Sequence, residues 1–476
     1  MAGIRAGDPI FLSPDYQVDP DLCRYAQSNK FRAFTTETKR NYATDIALLL
    51  TALTARGKHW VEATGRDLED YEHWRRFAKE NPARIGGSKW DRERAAFLHL
   101  YAWAKRAHLI AVNPVEMMAG GGKAKDTRPS NVHWLTPRTW RLWIDVGLRG
   151  HGPNGVPEPG FVGRLEDRNT AFVRLLTSSG LRLTEAASLL TFEVPTRRLD
   201  GGRYVVGRVA AEVTRSKVSR TFYAAAGAIG EMEAYAESSR AWAVRRAQRR
   251  GLYERVPGMR LVTDVTRGLK PKVYWREPDG AEGVQELGDL TWQERMLLFA
   301  EGTDGLEPLW LWLNEKGMPF GPHSWEGVFK EANERCARVL IPRQRAGVDP
   351  HQQFAPYATP HSGRHSFALY MLVVLEEVMD RRYGLSSEER RDYRVLYGDP
   401  WFMVQGLLGH ASRETTLRHY LSPVRHLQLS HLLSVVDEPA GAGSVDLDMV
   451  FTKVARNAEG IQDIEARMSP ALGALR

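Results

Sequence analysis

The amino-acid sequence predicts a mainly α-helical protein with a small β-sheet, built as a small helical domain followed by a larger one. Apolar residues recur at helical spacing through residues 31 to 117. Strand-like segments are confined to four stretches, 203–214, 220–225, 259–266 and 271–278. Because strands and helices do not alternate regularly, we do not expect a parallel α/β sheet. A chain of 476 residues also exceeds what one compact core accommodates.

Three amphipathic helices are predicted in the small domain. The first is capped by Thr35 or Thr36, the third by Ser88, and the Asn113-Pro114 step ends the block. The side chains expected on the buried faces are Tyr42, Ile46, Leu49, Leu50 and Leu53 in the first helix, Leu68, Tyr71, Trp74 and Phe77 in the second, and Phe97, Leu98, Tyr101 and Ala104 in the third.

Changes of pattern along the chain give the domain boundaries. The first residues show no sustained period, whereas three glycines followed by basic residues in "MMAGGGKAKDTRPSN" are typical of a flexible linker. The predicted divisions are a partly ordered tail at 1–30, a helical domain at 31–117, a basic linker at 118–131, a larger domain at 132–435 and a C-terminal tail at 436–476.

The composition is typical of an intracellular globular protein. Hydrophobic residues make up 43% of the chain and charged residues 26%. Cys23 and Cys336 are its only cysteines and lie far apart in sequence, so neither a disulfide framework nor a cysteine zinc site is predicted. The N-terminus lacks the pattern of a signal peptide, and no apolar run approaches the roughly 20 residues of a membrane span. We therefore expect a cytoplasmic protein without a membrane role.

The charge balance favours a polyanionic partner. The formal net charge is +8, with basic clusters at 123–128, 214–220 and 245–250. Any one of these clusters, taken alone, is more often a solvated face.

A first candidate site segment is "TSSGLRLTEAASLL", residues 177 to 190. Gly180 permits a sharp turn, and Arg182 precedes Thr184, the expected helix cap. An arginine there is aimed at an anion near a helix N-terminus, where backbone N–H groups already favour negative charge. The alternative is an arginine that caps the helix or forms a salt bridge.

A second candidate segment is "ATPHSGRHSFALYM", residues 358 to 371. Thr359 suits a cap and Pro360 the first helical position, which places His361, Arg364 and His365 on one helix face. Two histidines four residues apart could ligate a metal, but the sequence offers no third ligand. An arginine fork beside a histidine is better suited to phosphate oxygens and proton transfer.

A third candidate segment is "LLGHASRETTLRHY", residues 407 to 420. Gly409 and His410 precede a helical stretch that ends in Tyr420. Packing explains the leucines, whereas the histidine and tyrosine could serve as phosphate ligand and nucleophile. Two arginines on the same phosphate would stabilise both a phenolate and the transition-state charge. The three segments therefore supply groups for metal-free attack on a phosphodiester.

Together these segments resemble the signature boxes of the tyrosine site-specific recombinases, the phage-integrase family. "SGLRLTE" is similar to the first arginine box, "HSGRH" to the His-x-x-Arg-His box, and "LLGHASRETTLRHY" to the box that leads to the nucleophile. The resemblance extends over roughly residues 31 to 435. It implies a helical, SAM-like core-binding domain and a catalytic domain with the DNA breaking-rejoining fold.

The resemblance also implies roles for individual residues. Arg182 and Arg364 would hold the non-bridging oxygens of the scissile phosphate, and His361 would act in proton transfer. His410 would hydrogen-bond the phosphate. Tyr420 would attack it, leaving a 3′-phosphotyrosyl link and a free 5′-hydroxyl.

Two further positions follow from the same resemblance. The family uses a lysine on a β-hairpin as general acid, and Lys217 in "TRSKVSR" is the best match, with Arg215 as the alternative if the alignment shifts by two residues. Glu185 fills the acidic position of the first box, where we expect a structural role.

The sequence departs from the family pattern in three places. Gly363 stands where the family has leucine, which removes an apolar anchor. Insertions are apparent at about 235–300 and at about 381–400. They are either surface decoration or additional contacts to DNA or to another protomer.

By this resemblance the chain is expected to be a DNA recombinase or integrase that needs no metal, cofactor or ATP. The expected partners are double-stranded DNA, three further copies in a homotetramer on two DNA sites, and an accessory DNA-bending protein. Residues 436 to 476, with Val450, Phe451 and Val454, would dock on a neighbouring protomer. A type IB-like topoisomerase and a catalytically idle DNA-binding regulator are the alternatives. The DNA target sequence does not follow from these residues.

Overall fold

The computed structural model of the chain describes residues 4–5, 7–13, 15–119, 133–196, 202–341, 355–377 and 400–409. Contacts divide the chain into two compact units, residues 1 to 131 and residues 132 to 476. The predicted fold class, mainly α with a small β content, is confirmed. Within the described ranges no helix is both long enough and apolar enough to cross a membrane.

The first unit is a helical bundle. Its described helices are α1 (Pro20–Gln27), α2 (Asn29–Arg32), α3 (Thr36–Thr54), α4 (Gly65–Arg76) and α5 (Gly87–Arg106). Thr35 caps α3, because its hydroxyl accepts a hydrogen bond from the Thr38 N–H. The cap of α5 is Gly86 rather than the predicted Ser88, which lies inside the helix.

Most of the side chains that the helical period predicts to be buried in this bundle are buried. Ile46, Leu49 and Leu53 of α3 are buried. So are Leu68, Tyr71, Phe97, Tyr101 and Ala104 of the later helices. Three predicted core side chains are largely exposed instead, namely Trp74, Phe77 and Leu98. Helix α4 ends at Arg76, so Phe77 follows the last helical turn and no longer continues the apolar stripe.

Residues before 31 carry more structure than their sequence pattern indicates. Asp19 caps α1 by accepting from the N–H groups of Asp21 and Leu22. Tyr25 is completely buried, and its hydroxyl lies 2.8 Å from Nδ1 of His99 in α5. Helix α1 is two turns long, which is too short to establish a period in the sequence.

Helices also dominate the second unit. Its described helices are α6 (Pro137–Trp143), α7 (Glu166–Ser179), α8 (Leu183–Ala187), α9 (Ala226–Tyr235), α10 (Ala241–Gln248), α11 (Trp292–Arg295), α12 (Ser324–Leu340), α13 (Pro360–Glu377) and α14 (Pro400–Leu408).

Two β-sheets lie among these helices. The strands are β1 (Tyr204–Val209), β2 (Arg220–Ala225), β3 (Arg260–Val265), β4 (Lys272–Arg276), β5 (Glu282–Glu286), β6 (Leu298–Gly302) and β7 (Gly305–Pro308). Strands β1 and β2 form an antiparallel hairpin. The other five form a sheet in the order β5-β4-β3-β6-β7, in which only β3 and β6 are parallel.

The four predicted strand segments contain β1 to β4, but β5 to β7 were not predicted. Strand β5 reads "EGVQE" and β7 reads "GLEP", so both are short and rich in residues that are depleted in strands. Pairing with their neighbours, rather than local propensity, makes these segments extended. The five-stranded sheet begins within the apparent insertion at about 235–300.

Stacked aromatic rings fill the core of the second unit. The rings of Phe172 in α7 and Trp325 in α12 are parallel, with centroids 3.5 Å apart. Trp312 meets both rings edge-on. The guanidinium of Arg168 lies 3.9 Å from the centroid of Phe320, and burial lowers the pKa of Arg168 to about 10. Helices α7 and α12, which flank the site described below, are thus fixed to one core.

The variant Trp325→Ala should therefore lose stability. Removal of a fully buried indole leaves a cavity, which costs about 3 to 5 kcal/mol of unfolding free energy. The matched control is Trp242→Ala, since Trp242 is half exposed and should change that free energy by less than about 1 kcal/mol. Urea unfolding followed by far-UV circular dichroism measures both. Equal losses in the two variants would contradict this description of the core.

Candidate active site

The first predicted site segment forms a tight turn between α7 and α8. Gly180 ends α7 with a φ of +63°, and its N–H donates to the Leu176 carbonyl. A Cβ atom at this position would lie 2.3 Å from Cδ1 of Phe367. Both the left-handed backbone and the close approach of Phe367 therefore require glycine.

Arg182 itself is the N-cap of α8. The predicted cap, Thr184, is wrong: the helix begins at Leu183, so Thr184 is its second residue. The Arg182 N–H donates to one carboxylate oxygen of Glu185 at 2.9 Å, and its guanidinium donates to the other oxygen at 2.9 Å. Glu185, the third residue of the helix, thus satisfies the backbone N–H of the cap residue, as the acidic residue of a capping box does.

Glu185 is a buried carboxylate that interacts with three arginines, Arg182, Arg220 and Arg364. Its side chain is inaccessible to solvent, and Nη2 of Arg220, at the start of β2, donates to it at 2.6 Å. Burial by itself would raise the pKa of Glu185, but the positive charges of Arg220, Arg364 and Arg182 and the Arg182 N–H hold that pKa below its ordinary value. The carboxylate is therefore ionised and ties two segments together.

The second predicted segment begins α13 as expected. Thr359 and Ser362 exchange hydrogen bonds between side chain and backbone, and Pro360 is the first helical residue. His361 is exposed, whereas Arg364 and His365 are buried. The imidazole centroids of His361 and His365 are 4.5 Å apart in an edge-on arrangement.

Arg364 connects the first and third segments. Its Nη1 donates to the Gly180 carbonyl at 2.5 Å, and its Nη2 donates to the Leu408 carbonyl at 2.5 Å. Leu408 is the last residue of α14, where the carbonyl groups carry the negative end of the helix dipole. The cation thus stabilises the helix end that leads directly into His410.

Arg220 holds the same helix end from the hairpin side. Its Nη1 donates to the Leu407 carbonyl at 3.0 Å while its Nη2 binds Glu185. Gly409, with a φ of +63°, passes so close that a Cβ atom there would lie 2.5 Å from Cδ of Arg220. His410 and Tyr420 lie outside the described residues, so only the approach to them is seen.

One cavity of about 950 Å³ joins three of the predicted site residues. Arg182, His361 and Arg364 line it, together with Asn333 and Lys330 of α12. Arg364 contributes to its wall but has no exposed surface. An anion in the cavity would therefore reach that guanidinium only after a small local movement of the wall. Glu326 and Glu334 of α12 also line the cavity, and Glu334 pairs with Lys330 at 3.9 Å, so Arg182 and Arg364 are the groups of the lining that suit a phosphate.

Lys217 lies on the loop between β1 and β2, in a left-handed backbone conformation with a φ of +55°. Its ammonium group donates to the Glu212 carbonyl at 2.8 Å and forms an ion pair with the Glu212 carboxylate. Half of the side chain is exposed. In the part of the chain that the structure describes, no hydrogen bond or ion pair joins Lys217 or Arg215 to Arg182 or Arg364.

Gly363 lies on the side of α13 that faces α7. A Cβ atom there would lie 3.4 Å from Cβ of Leu176 and 3.7 Å from Cγ2 of Thr177, an ordinary contact. A Cβ atom therefore fits at this position, and the approach of α7 does not require glycine. The start of α13 is held instead by the Thr359–Ser362 cap and by Ser366, whose hydroxyl accepts from the Leu135 N–H and the Trp140 indole.

Arg220 is the site residue that sequence reasoning did not single out. It belongs to the basic hairpin segment "TRSKVSR", in which the sequence favours Lys217 and Arg215 as site residues. The strand-like pattern that begins at residue 220 is the signal for this position. It places Arg220 at the base of the hairpin loop rather than at the exposed tip. Residues at the base of a hairpin can reach the core, whereas those at its tip face solvent.

The chain is similar to a known recombinase. It is 26% identical over 153 residues to tyrosine recombinase XerD of Ralstonia nicotianae. The matched region covers 32% of this chain and 42% of that protein, so the chain matches less than half the length of its relative. No family model matches the chain. The XerD match confirms the resemblance to tyrosine recombinases that the three segments indicate.

Solved structures show more distant likenesses. The XerH site-specific recombinase bound to palindromic difH substrate has a TM-score of 0.44 and 14% identity, covering 87% of this chain and 86% of that one. The Tn1549 transposon integrase in complex with transposon right end DNA has a TM-score of 0.44 and 11% identity, covering 91% and 97%. A lambda integrase dimer bound to a COC′ core site has a TM-score of 0.42 and 11% identity, covering 90% and 98%.

Removal of the Arg220 side chain should destabilise the second unit. The variant Arg220→Ala leaves the buried Glu185 carboxylate short of one partner, which should lower the free energy of unfolding by about 3 kcal/mol. Arg276→Ala is the control, because Arg276 is exposed and its ion pair with Glu282 is worth less than about 1 kcal/mol. Urea unfolding measures both variants. If they lose the same stability, the Glu185–Arg220 pair does not hold this unit together.

Stability should also depend on pH through Glu185. Its pKa is lowered in the folded state, so its contribution is fully present above the unfolded value of about 4.3 and is lost as pH falls through the folded pKa. The difference in unfolding free energy between the wild type and Glu185→Gln should therefore shrink steadily below about pH 4. Urea unfolding at a series of pH values measures it. A difference that stays constant down to pH 3 would contradict an ionised, paired Glu185.

Proposed function

We propose that this relative of the tyrosine recombinases cuts and rejoins duplex DNA at specific sites through a covalent 3′-phosphotyrosyl intermediate. The observation that carries the proposal is the convergence of Arg182, His361 and Arg364 on one cavity, with the chain that leads to His410 held beside them by Arg364 and Arg220. These groups come from three distant parts of the sequence. A merely structural role for any one of them would not require all of them to meet.

The proposed reaction relies on side-chain electrostatics. Arg182 and Arg364 bind the non-bridging oxygens of the scissile phosphate, and His410 donates a hydrogen bond to it. Tyr420 attacks the phosphorus, and His361 assists the transfer of its proton. The 5′-oxygen leaves as the phosphotyrosyl bond forms. Since one phosphoester replaces another, resealing needs no ATP.

Lys217 is the proposed general acid for the leaving 5′-oxygen. It lies on the loop of the β1–β2 hairpin. Arg220, at the base of this loop, forms a hydrogen bond with Glu185, which in turn binds Arg182. Its ion pair with Glu212 must open before its proton can reach the leaving group. Arg215, two residues away and exposed, is the other candidate for this role.

The proposed partners are two DNA duplexes and three further copies of the chain. The net positive charge of the chain favours DNA as a partner. Binding should weaken as the salt concentration rises, because lysine and arginine side chains release counterions from the DNA when they bind it. We propose a homotetramer on two sites, with residues 436 to 476 docking on a neighbour, and an accessory DNA-bending protein where the site requires it.

A type IB-like topoisomerase would use the same chemistry on one duplex. A strand-exchange assay with two marked duplexes and a relaxation assay on one supercoiled circle separate the two functions.

The proposed chemistry predicts a trapped adduct. A duplex nicked near the cleavage position loses the short strand after attack, so wild-type protein should accumulate on it as a complex that resists denaturant. The DNA sites come from capture and sequencing of the DNA bound by the protein. Tyr420→Phe should form no adduct, because it lacks the attacking oxygen, and should bind the duplex as the wild type does.

Two results would contradict the proposal. One is the absence of an adduct with wild-type protein on a duplex that it binds tightly, and the other is an adduct that persists in Tyr420→Phe. A chelator provides the remaining comparison: adduct formation should be unchanged in EDTA, and a strict need for a divalent metal would exclude the metal-free mechanism.

A further inference from the structure

The turn between β3 and β4 lies against the hairpin that carries Lys217. This turn, residues 266 to 271, reads "TRGLKP". Arg208 of β1 joins the two elements, because its Nη1 donates to the Leu269 carbonyl at 3.0 Å and its Nε donates to the Ser219 hydroxyl at 2.7 Å. The five-stranded sheet contributes nothing to the chemistry proposed above, yet one of its ends is fastened to the loop of the proposed general acid.

We propose that this turn and the hairpin loop form one DNA-binding surface that grips the phosphate backbone beside the cleavage position. The surface, which we call the hairpin–turn surface, consists of Arg208, Arg215, Lys217, Arg267 and Lys270. Its ligand is the backbone of duplex DNA, so it contributes affinity and placement rather than sequence recognition. The inference rests on the proposed function and assigns the inserted sheet a part in it.

Charge and exposure at this surface favour a polyanion. All five side chains belong to exposed residues. Lys217 and Lys270 are partly neutralised by Glu212 and Glu286, the latter at 3.7 Å. Arg208, Arg215 and Arg267 form no ion pair with any residue that the structure describes. These three guanidinium groups, one on β1, one in the hairpin loop and one in the β3–β4 turn, produce a positive field that attracts phosphate.

The opposite end of the same sheet has a different character. There Arg276 pairs with Glu282 at 3.3 Å, and Glu277 and Asp279 lie in the adjoining turn. The β3–β4 turn differs from that turn, because residues 266 to 271 include Arg267 and Lys270 and no acidic residue.

The surface is also held rigidly to the site. The Glu212 N–H donates to the Gly288 carbonyl at 2.8 Å, which fixes the hairpin loop to the segment after β5. Arg295 is fully buried and donates to Glu193 at 2.7 Å and to the Leu287 carbonyl at 2.9 Å. The sheet is thereby joined to the segment that follows α8. A phosphate held by the turn would consequently keep a defined position relative to Arg182 and Lys217.

The salt dependence of DNA binding tests this surface. With a random-sequence duplex as probe, the slope of log K against log salt should be smaller for Arg267→Ala than for the wild type by about 0.9, the value for one lost phosphate contact. Arg267 is exposed and makes no side-chain hydrogen bond with the described residues, so its removal should leave folding unchanged. Arg276→Ala, at the other end of the sheet, is the matched control and should keep the wild-type slope.

A photo-crosslinker provides a second, direct measurement. Leu269 is 84% exposed in the turn and Val284 is 53% exposed on β5. With p-benzoylphenylalanine in place of Leu269 the protein should crosslink to the duplex, and in place of Val284 it should not. An unchanged slope for Arg267→Ala, or equal crosslinking at the two positions, would overturn the hairpin–turn surface. If the wild type nevertheless forms the covalent adduct, the proposed function stands; a missing adduct defeats that function whatever the slopes are.

Discussion

The Glu185 carboxylate, shared by Arg182 and Arg220, is the interaction on which the rest of the site depends. A buried carboxylate is stable as an anion only when cations and N–H groups surround it, and here they come from the α8 turn and the β2 strand. Through Arg220 the same charge reaches the end of α14. Arg182, the hairpin and the approach to His410 are therefore positioned by one buried negative charge.

Backbone carbonyl groups complete this arrangement. Arg364 binds the carbonyls of Gly180 and Leu408, and Arg220 binds that of Leu407, so two cations satisfy acceptors that a helix end and a turn would otherwise leave unpaired. Arg364 also lines the cavity, so its hydrogen bond to the Leu408 carbonyl joins the end of α14 to the cavity wall.

Much of this could be predicted from residue patterns, because caps, periods and motif spacing are local. Thr359 and Pro360 were assigned correctly on that basis, Thr35 is one of the two caps predicted for α3, and most of the side chains predicted to be buried in the small domain are buried. The failures were not local. Strands β5 to β7 depend on pairing with distant segments, Trp74 and Leu98 lie at the edge of a helix face, and Arg220 acquires its role only when Glu185 and Leu407 meet it. Sequence spacing indicated which groups carry the chemistry, and tertiary contacts determine how they are held.

The central claim is that the groups around the cavity deliver a phosphodiester to Tyr420. Its most direct test is to digest the trapped protein–DNA adduct with protease and identify the peptide that remains linked to DNA by mass spectrometry. We expect a single linkage, between Tyr420 and the 3′-phosphate of the cut strand. A linkage to any other residue, or to a 5′-phosphate, would contradict it.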